Sequence, residues 1–415
     1  MRDRAVPGSL ENLGSGWSTP TLLLGATAVF ISIACGSDAN RPIATLRPPD
    51  IEDSAVFGWS VAAEDDRILV GSAHVSAGGF AWAGAAYLFD TGSAELLRTL
   101  AHPEPADGAN FGFAVSLSEG RVLVGAPGQP LGERKNVGAA YLFDSLTGEL
   151  LHSWREPEPG SGHEFGLSVA LSGTNALVSS STPFEDLRGA GAVFVYDTRS
   201  GELRRTLRAP LPRSIQSFGQ AMRVAAGQAV IGAPLARDRD KDFAGAAFVV
   251  DLRDGSHQAS LRDPEPKLDA AFGAAVALSP SRIIVAAPGR TDGPRSLSGA
   301  VHVFDATDRR WLYSLRSPAG ATEGRLFGLS VAVSAGRILV GAPDDWRDAA
   351  SHSGRVYIFE ERLGTLLESL SDPAPADRRG FGFSVGQSAG SIFIGAPQHG
   401  GSQNGVVELH RRERN

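Results

Sequence analysis

FGFAVSLSEGRVLVGAP, residues 111–127, is the stretch that decides the fold of this chain. Residues 327–343 read FGLSVAVSAGRILVGAP, which is nearly the same sequence. The Phe-Gly pair that opens both stretches occurs seven times, with successive pairs 53 to 55 residues apart, at Phe57, Phe111, Phe165, Phe218, Phe272, Phe327 and Phe381. A fixed period of this length indicates a repeat architecture in which each copy is one structural unit.

Each copy contains four short apolar runs. The first two form the quoted stretch, and a third, such as GAAYLFD from Gly84 or Gly138, is followed by a run that ends in a Thr-Leu-like pair. The runs are rich in Val, Leu, Ile, Phe and Ala and are bounded by Gly, Pro, Asp or Ser, which predicts strands rather than helices. The second run closes on a Gly-Ala-Pro-like triplet, whose last residues are Pro127, Pro234, Pro288, Pro343 and Pro397, with Ala73 and Ser181 as departures.

The apolar character of the second and third runs indicates how the units pack. RVLVGAP and AAYLFD are nearly continuous in apolar residues, so we expect their strands to be covered on both faces. Four-stranded units that bury both faces pack radially in a β-propeller. A linear solenoid is the alternative, but it would need polar capping repeats, and the sequence shows none. The sequence therefore predicts an all-β fold, a seven-bladed β-propeller.

The two ends of the repeat region indicate how the ring closes. Residues 43–46, IATL, end eleven residues before Phe57, as Leu100 stands eleven residues before Phe111. They form an outer strand with no blade before it, whereas GVVELH, residues 405–410, is a third strand with no fourth after it. One orphan strand at each end completes one blade, and closure removes exposed sheet edges. We expect the propeller to span residues 43–411, with the last blade built from three C-terminal strands and one N-terminal strand.

The first 42 residues differ from the rest of the chain. The apolar stretch 21–34 is too short to span a bilayer comfortably and fits the core of a signal peptide, for which we assign residues 1–35. It is followed by the only cysteine, Cys35, which resembles the lipidated cysteine of a bacterial lipoprotein signal. We expect an anchor at the cell surface or outer membrane, with residues 36–42 as a short tether. An ordinary signal peptide, a short membrane anchor and an incidental cysteine are the alternatives.

The recurrence of FG followed by GAP resembles the FG-GAP repeat family, the seven-bladed propeller of integrin α chains and of many bacterial surface proteins. The resemblance covers residues 43–411 and implies extracellular binding or scaffolding. Integrin-type repeats often carry a calcium loop of the type Asp-x-Asp-x-Asp-Gly between FG and GAP. In this chain that segment reads SLSEG or AVSAG, without a carboxylate cluster. We therefore expect no cofactor, and no structural calcium in these hairpins.

One acidic cluster is a weak metal candidate. Asp238, Asp240 and Asp242 alternate as in the start of a calcium loop, where hard oxygen ligands suit the ion. Phe243 stands where the loop needs Gly, however, and no Glu follows at the twelfth position. Arginine and lysine residues alternate with the acids and neutralise them, so we expect a solvated loop.

Catalytic patterns are weak in this sequence. GFSVG, residues 382–386, matches a nucleophile elbow, but the equivalent Ser60, Ser168 and Ser330 place Ser384 inside an innermost strand, where we expect a structural serine. The innermost strands read Ser, Ala, Val and Leu, which does not suit an active site in a central channel. The net charge of −7 argues against a nucleic-acid surface.

Recognition is expected on one face of the propeller. The loops between second and third strands share a face with the loops between blades, and these vary most among the copies. We choose Trp82, Asp344, Asp345 and Trp346 as the candidate ligand face, because tryptophan beside acids stacks on sugars or anchors a protein; a tryptophan packed in a seam between blades is the alternative.

The function predicted from the sequence is that of a monomeric, non-catalytic, extracytoplasmic binding or adhesion propeller with a protein or glycan partner. A secreted carbohydrate-active enzyme, a lyase or hydrolase that uses the propeller channel, is the alternative from another class. A structural module of a larger envelope assembly is the third.

Overall fold

The structure of the chain is a computed structural model. It describes residues 41–49, 56–181, 189–210, 216–238, 241–292, 297–318, 326–343, 354–373, 380–388, 390–397 and 405–411. The predicted signal at 1–35 with Cys35, and the predicted tether apart from residues 41 and 42, lie outside the described residues. So do Asp240, Asp344, Asp345 and Trp346.

The described residues form strands and no helices. Blade 7 combines β1 (Ala44–Leu46), at the N-terminal end, with three strands from the C-terminal end, β26 (Ser384–Ser388), β27 (Ser391–Ala396) and β28 (Val406–Arg411). The other blades each use four consecutive strands. Blade 1 consists of β2 (Ser60–Glu64), β3 (Arg67–Ser72), β4 (Ala85–Asp90) and β5 (Leu96–Ala101). Blade 2 consists of β6 (Ala114–Ser118), β7 (Arg121–Ala126), β8 (Ala139–Asp144) and β9 (Leu150–Trp154). Blade 3 consists of β10 (Val169–Ser172), β11 (Asn175–Ser180), β12 (Ala192–Asp197) and β13 (Leu203–Leu207). Blade 4 consists of β14 (Ala221–Ala225), β15 (Gln228–Ala233), β16 (Ala246–Asp251) and β17 (His257–Leu261). Blade 5 consists of β18 (Ala275–Leu278), β19 (Arg282–Ala287), β20 (Ala300–Asp305) and β21 (Trp311–Leu315). Blade 6 consists of β22 (Ser330–Ser334), β23 (Arg337–Ala342), β24 (Arg355–Glu360) and β25 (Leu366–Ser371).

The seven sheets form a closed ring. Each innermost strand contacts the innermost strand of the next blade, and β26 of blade 7 contacts β2 of blade 1, which completes the circle. In blade 7, β1 pairs antiparallel with β28, with Ala44 opposite Leu409 and Leu46 opposite Val407. The predicted all-β, seven-bladed propeller with a last blade of three plus one strands is confirmed.

The hydrophobic core lies between the blades. One cluster joins Leu69 and Leu100 of blade 1 to Phe111 and Tyr141 of blade 2, and an equivalent cluster joins Phe57 to the strands of blade 7. The second and third strands of each blade are buried along nearly their whole length because blades cover both of their faces. The outermost strands are mostly exposed, which explains their polar and variable sequences.

The Phe-Gly pair is the joint between consecutive blades. The seven phenylalanines are at most 2% exposed. The backbone N–H of Phe111 donates to the carbonyl of Ala83 in the preceding blade at 2.9 Å. Gly84 faces this joint, and a Cβ at Gly84 would lie 2.0 Å from the carbonyl oxygen of Phe111. Gly112 has φ +91°, which side chains rarely tolerate. The repeated Phe-Gly sequence therefore specifies a close contact between the backbones of two consecutive blades.

The two faces of the ring differ. On one face, which we call the loop face, the loops between second and third strands bond to the loops between blades; for example, the N–H of Gly108 donates to the carbonyl of Ala81 at 2.8 Å. The opposite face, the hairpin face, carries the short turns between first and second strands and between third and fourth strands. The innermost strands run from the loop face to the hairpin face.

Candidate functional site

A central channel runs between the innermost strands. Its loop-face segment has a cavity volume of about 290 Å³, and its hairpin-face segment has a volume of about 260 Å³. Val61, Val115 and Arg223 line both segments, so the two segments meet at these residues. None of the described residues that line either segment is acidic.

Aromatic rings extend from the loop face into the mouth of the channel. Trp82 stacks on His74 with ring centroids 5.3 Å apart, and His74 lies 5.9 Å from Trp59. Trp59 in turn lies 5.4 Å from Phe113 and 4.7 Å from Phe383. We call these five residues the aromatic patch. It joins blades 7, 1 and 2, and it brings the predicted Trp82 together with four rings that were not predicted.

Trp82 is 54% exposed, so it does not pack in a seam between blades. Its φ of +54° is unusual for a bulky side chain. The carbonyl of Trp82 accepts a 3.0 Å hydrogen bond from the N–H of Asn110, which ties this loop to the next blade. The equivalent residue of blade 2 is Asn136, at φ +51°, a residue type that adopts this conformation readily. The loop conformation thus does not depend on tryptophan.

Arg223 occupies the channel. The equivalent residues of the other blades are all small: Ala62, Ser116, Ala170, Ala277, Ala332 and Gly386. The guanidinium bonds only the carbonyl of its neighbour Met222, at 3.0 Å, among the described residues. Water reaches the side chain through the channel, yet protein surrounds it, and this desolvation lowers the pKa of Arg223.

The expectation that the innermost strands carry only Ser, Ala, Val and Leu is therefore wrong at Arg223. Gln387, in the innermost strand of blade 7, also lines the channel. An alignment of the seven copies at the fifth residue after Phe would have revealed the arginine, because six small residues stand against one long cation.

Two of the three weak metal candidates, Asp238 and Asp242, lie among the described residues. Asp238 and Lys241 exchange backbone hydrogen bonds of 3.0 and 2.9 Å. The carboxylate of Asp242 pairs with the guanidinium of Arg237 at 3.2 Å. Among the described residues, no group of three His, Cys, Asp or Glu side chains is arranged to hold a metal ion.

Ser384 lies in an innermost strand, as predicted, and has a structural contact. Its hydroxyl donates to the carbonyl of Gly58 at 2.7 Å. Ser60 and Ser330 make the same bond to Gly112 and Gly382 at 2.9 and 2.8 Å. The hydroxyl therefore links one blade to the next, whereas a nucleophile would stand at a strand-to-helix turn.

A second serine lies near a histidine and an acid in blade 5. The ring Nδ1 of His302 lies 2.9 Å from the hydroxyl of Ser314, and its Nε2 lies 3.6 Å from a carboxylate oxygen of Asp263. That second distance is too long for a hydrogen bond. Asp263 is instead held by the buried Arg290 at 3.0 Å. Burial lowers the pKa of His302 to about 3, so the imidazole is a poor base, and the cluster is better explained as part of the blade core.

Three segments of the propeller match a known protein family. The FG-GAP repeat family matches residues 41–89, 98–143 and 317–359. The chain carries FG-GAP repeats. The matched segments lie in blades 1, 2 and 6, together with β1 of blade 7, and blades 3, 4 and 5 have the same strand order and the same joint. No curated protein matches this sequence. Among the described residues of this FG-GAP propeller, no helix is long and apolar enough to cross a membrane.

Proposed function

We propose that this FG-GAP propeller is a non-catalytic binding or adhesion module that acts outside the cytoplasm and presents its loop face to a protein or glycan. The observation that supports this proposal is the aromatic patch at the mouth of the channel. Trp82 exposes more than half of its surface while its ring stacks on His74. Indole rings of this kind are frequent anchors in recognition surfaces because they offer a large apolar face with little conformational freedom.

Ion pairs elsewhere on the loop face do not compete with the patch for a partner. The pair of Arg237 with Asp242 lies in blade 4, on the far side of the ring, and it is exposed and contributes little to binding. A sugar ring or an apolar side chain stacked on Trp82 would bury area at the patch without the desolvation of a charge. The extracytoplasmic location rests on the predicted signal and on Cys35, which we propose as the lipid anchor.

The test is a glycan and protein array probed with the purified chain and with a Trp82→Asn variant. Asparagine is the residue of blade 2 at this position, so the variant should keep the loop conformation and remove the indole. The matched control is Trp311→Leu, because Trp311 is 46% exposed on an outermost strand and Leu96 is its equivalent in blade 1.

We expect Trp82→Asn to weaken the strongest array signal at least tenfold, a loss of about 1.4 kcal/mol or more. Trp311→Leu should leave that signal unchanged. Equal binding by Trp82→Asn and the parent chain would place recognition elsewhere on the propeller, as would a loss confined to Trp311→Leu.

A further inference from the structure

We propose that the central channel is a binding site for a carboxylate anion, held by the guanidinium of Arg223. Arg223 is the only charged residue among the seven equivalent positions of the innermost strands. A propeller of near-identical blades can fill the same position with Ala, Ser or Gly, and six blades do so. Only blade 4 introduces a long cation, and it lies where the two segments of the channel meet.

The guanidinium of Arg223 lacks a counter-charge among the described residues. Arg223 has no ion pair with any described acidic side chain, and the residues that line both channel segments are otherwise neutral. Arg223 is exposed to the channel and can be reached from it, so an anion that enters the channel would supply the missing charge. The guanidinium keeps its charge at neutral pH because its ordinary pKa is far higher.

The donor geometry of Arg223 and the charge of the channel favour a carboxylate over other anions. Arginine presents a planar fork of donors that matches the two oxygens of a carboxylate. The channel offers one positive charge, so a monoanion is neutralised, whereas a phosphate dianion would leave a net negative charge among apolar side chains such as Val224 and Leu278. Neutral polar side chains also line the hairpin-face segment. The hydroxyl of Ser116 accepts from the N–H of Leu171 and so retains its own proton for donation, and Gln387 supplies an amide.

The mouth of the channel limits the ligand to one end of a molecule or to a small acid. Trp59 and Phe113 lie at the loop-face segment, and Arg223 lines the same segment. The shared chemistry is a carboxylate, which a free acid or an acidic sugar could provide. This inference does not depend on the proposed binding at Trp82, because acetate needs no contact with that ring.

The experiment measures the melting temperature of the full chain in acetate, D-glucuronate, phosphate and chloride at constant ionic strength and pH 7. Acetate or glucuronate at saturating concentration should raise the melting temperature by about 1–3 °C relative to chloride. A larger effect of glucuronate than of acetate would identify an acidic sugar as the ligand, and the reverse would identify a small free acid.

The variant is Arg223→Ala, which introduces the residue of blades 1, 3, 5 and 6 and should therefore fold. We expect it to melt at the same or a higher temperature in chloride and to lose the carboxylate-dependent shift. Arg223→Lys should retain the charge but weaken binding about tenfold, since the fork is lost. The control is Arg310→Ala, which removes an exposed cation and should keep the full shift. A shift that persists in Arg223→Ala, an equal shift in phosphate, or no shift with either carboxylate would overturn the proposal.

Discussion

The hydroxyl of Ser384 donates a 2.7 Å hydrogen bond to the carbonyl of Gly58, 326 residues earlier in the chain. Ser384 begins the innermost strand of the last blade, and Gly58 belongs to the Phe-Gly pair of the first blade. The same bond joins blade 1 to blade 2 and blade 6 to blade 7. The closing joint of the ring is thus built like the joints between consecutive blades.

Ser384→Ala should lower the free energy of unfolding by about 1 kcal/mol, the net value of one hydrogen bond. Alanine fits this position, because Ala114 occupies it in blade 2. The measurement is chemical denaturation of the variant beside Ser60→Ala and Ser330→Ala, which should behave alike. A Ser384→Ala chain as stable as the parent would show that the bond is not formed in solution.

Deletion of residues 43–50 should destabilise the whole ring far more than a point substitution. The deletion removes β1, whose Leu46 is 2% exposed and packs in the cluster that joins blades 7 and 1. Burial of one such side chain contributes about 1.5–3 kcal/mol, and the strand pairing with β28 is lost as well. Thermal unfolding followed by circular dichroism measures the effect. An unchanged melting temperature with a single cooperative transition would contradict closure by β1.

His102 should make the fold sensitive to acid. Burial lowers the pKa of its imidazole to about 4, and the ring Nδ1 accepts a 2.9 Å hydrogen bond from the N–H of Glu104. Because the folded pKa lies below the ordinary value, this contribution to stability is complete above pH 6.5. It falls by about 1.4 kcal/mol for each pH unit as the pH drops toward 4.

His102→Asn tests this sensitivity, since the amide oxygen can accept the same bond and does not titrate. A side-chain oxygen already makes the equivalent bond between blades 4 and 5, where Asp263 accepts from the N–H of Glu265. Denaturation curves between pH 7 and pH 4 should show a flatter loss of stability for His102→Asn than for the parent chain. Identical slopes for His102→Asn and the parent would contradict the assignment.

A chelator should leave the melting temperature unchanged within about 1 °C. The hairpins between FG and GAP carry no carboxylate cluster in the sequence, and Asp242 is paired with Arg237. Differential scanning fluorimetry with EDTA, and then with added calcium, measures the effect. A fall of many degrees that calcium reverses would identify Asp238, Asp240 and Asp242 as ligands after all.

Cys35→Ser should abolish the proposed lipid anchor. The variant is expected to leave the membrane fraction or to accumulate as an uncleaved precursor, because several acyl chains on one residue are needed for stable attachment. Fractionation and intact mass measure both outcomes. A variant with the same mass as the parent, apart from the substitution, and the same membrane partition would exclude lipidation at Cys35.

The fold could be predicted from the sequence because the joint between blades has a strict local code. Phe57 and its six equivalents must fill the space between two blades, and Gly84 must allow the backbone of Phe111 to approach. Both requirements recur every 53 to 55 residues, so the number of blades and the orphan strand at each end follow from counting. Closure by β1 follows from the same count.

The candidate site was harder to predict because it depends on which rings meet at the mouth of the channel. Trp82 was predicted from its loop. Trp59, Phe113 and Phe383 share one position, two residues after the repeat Phe, but the other four copies have no aromatic residue there. The contact of these rings with His74 depends on the order of the blades around the ring. Arg223 interrupts an apolar strand at a single position, so a search for clustered polar residues does not find it. It becomes visible only when the copies are compared position by position.

The pairing of β1 with β28 also sets an order of events during synthesis. Ala44 leaves the ribosome among the first residues of the propeller, whereas its partner Leu409 is among the last. The earliest strand must therefore wait, unpaired, until almost the whole chain has been made, and the ring closes by bringing together the two most distant parts of the sequence. Closure is accordingly the slowest and most entropically costly contact of the fold. A chain truncated before residue 406 would retain most of its blades and yet leave β1 and the edge of β27 unpaired, each a template for association with another copy.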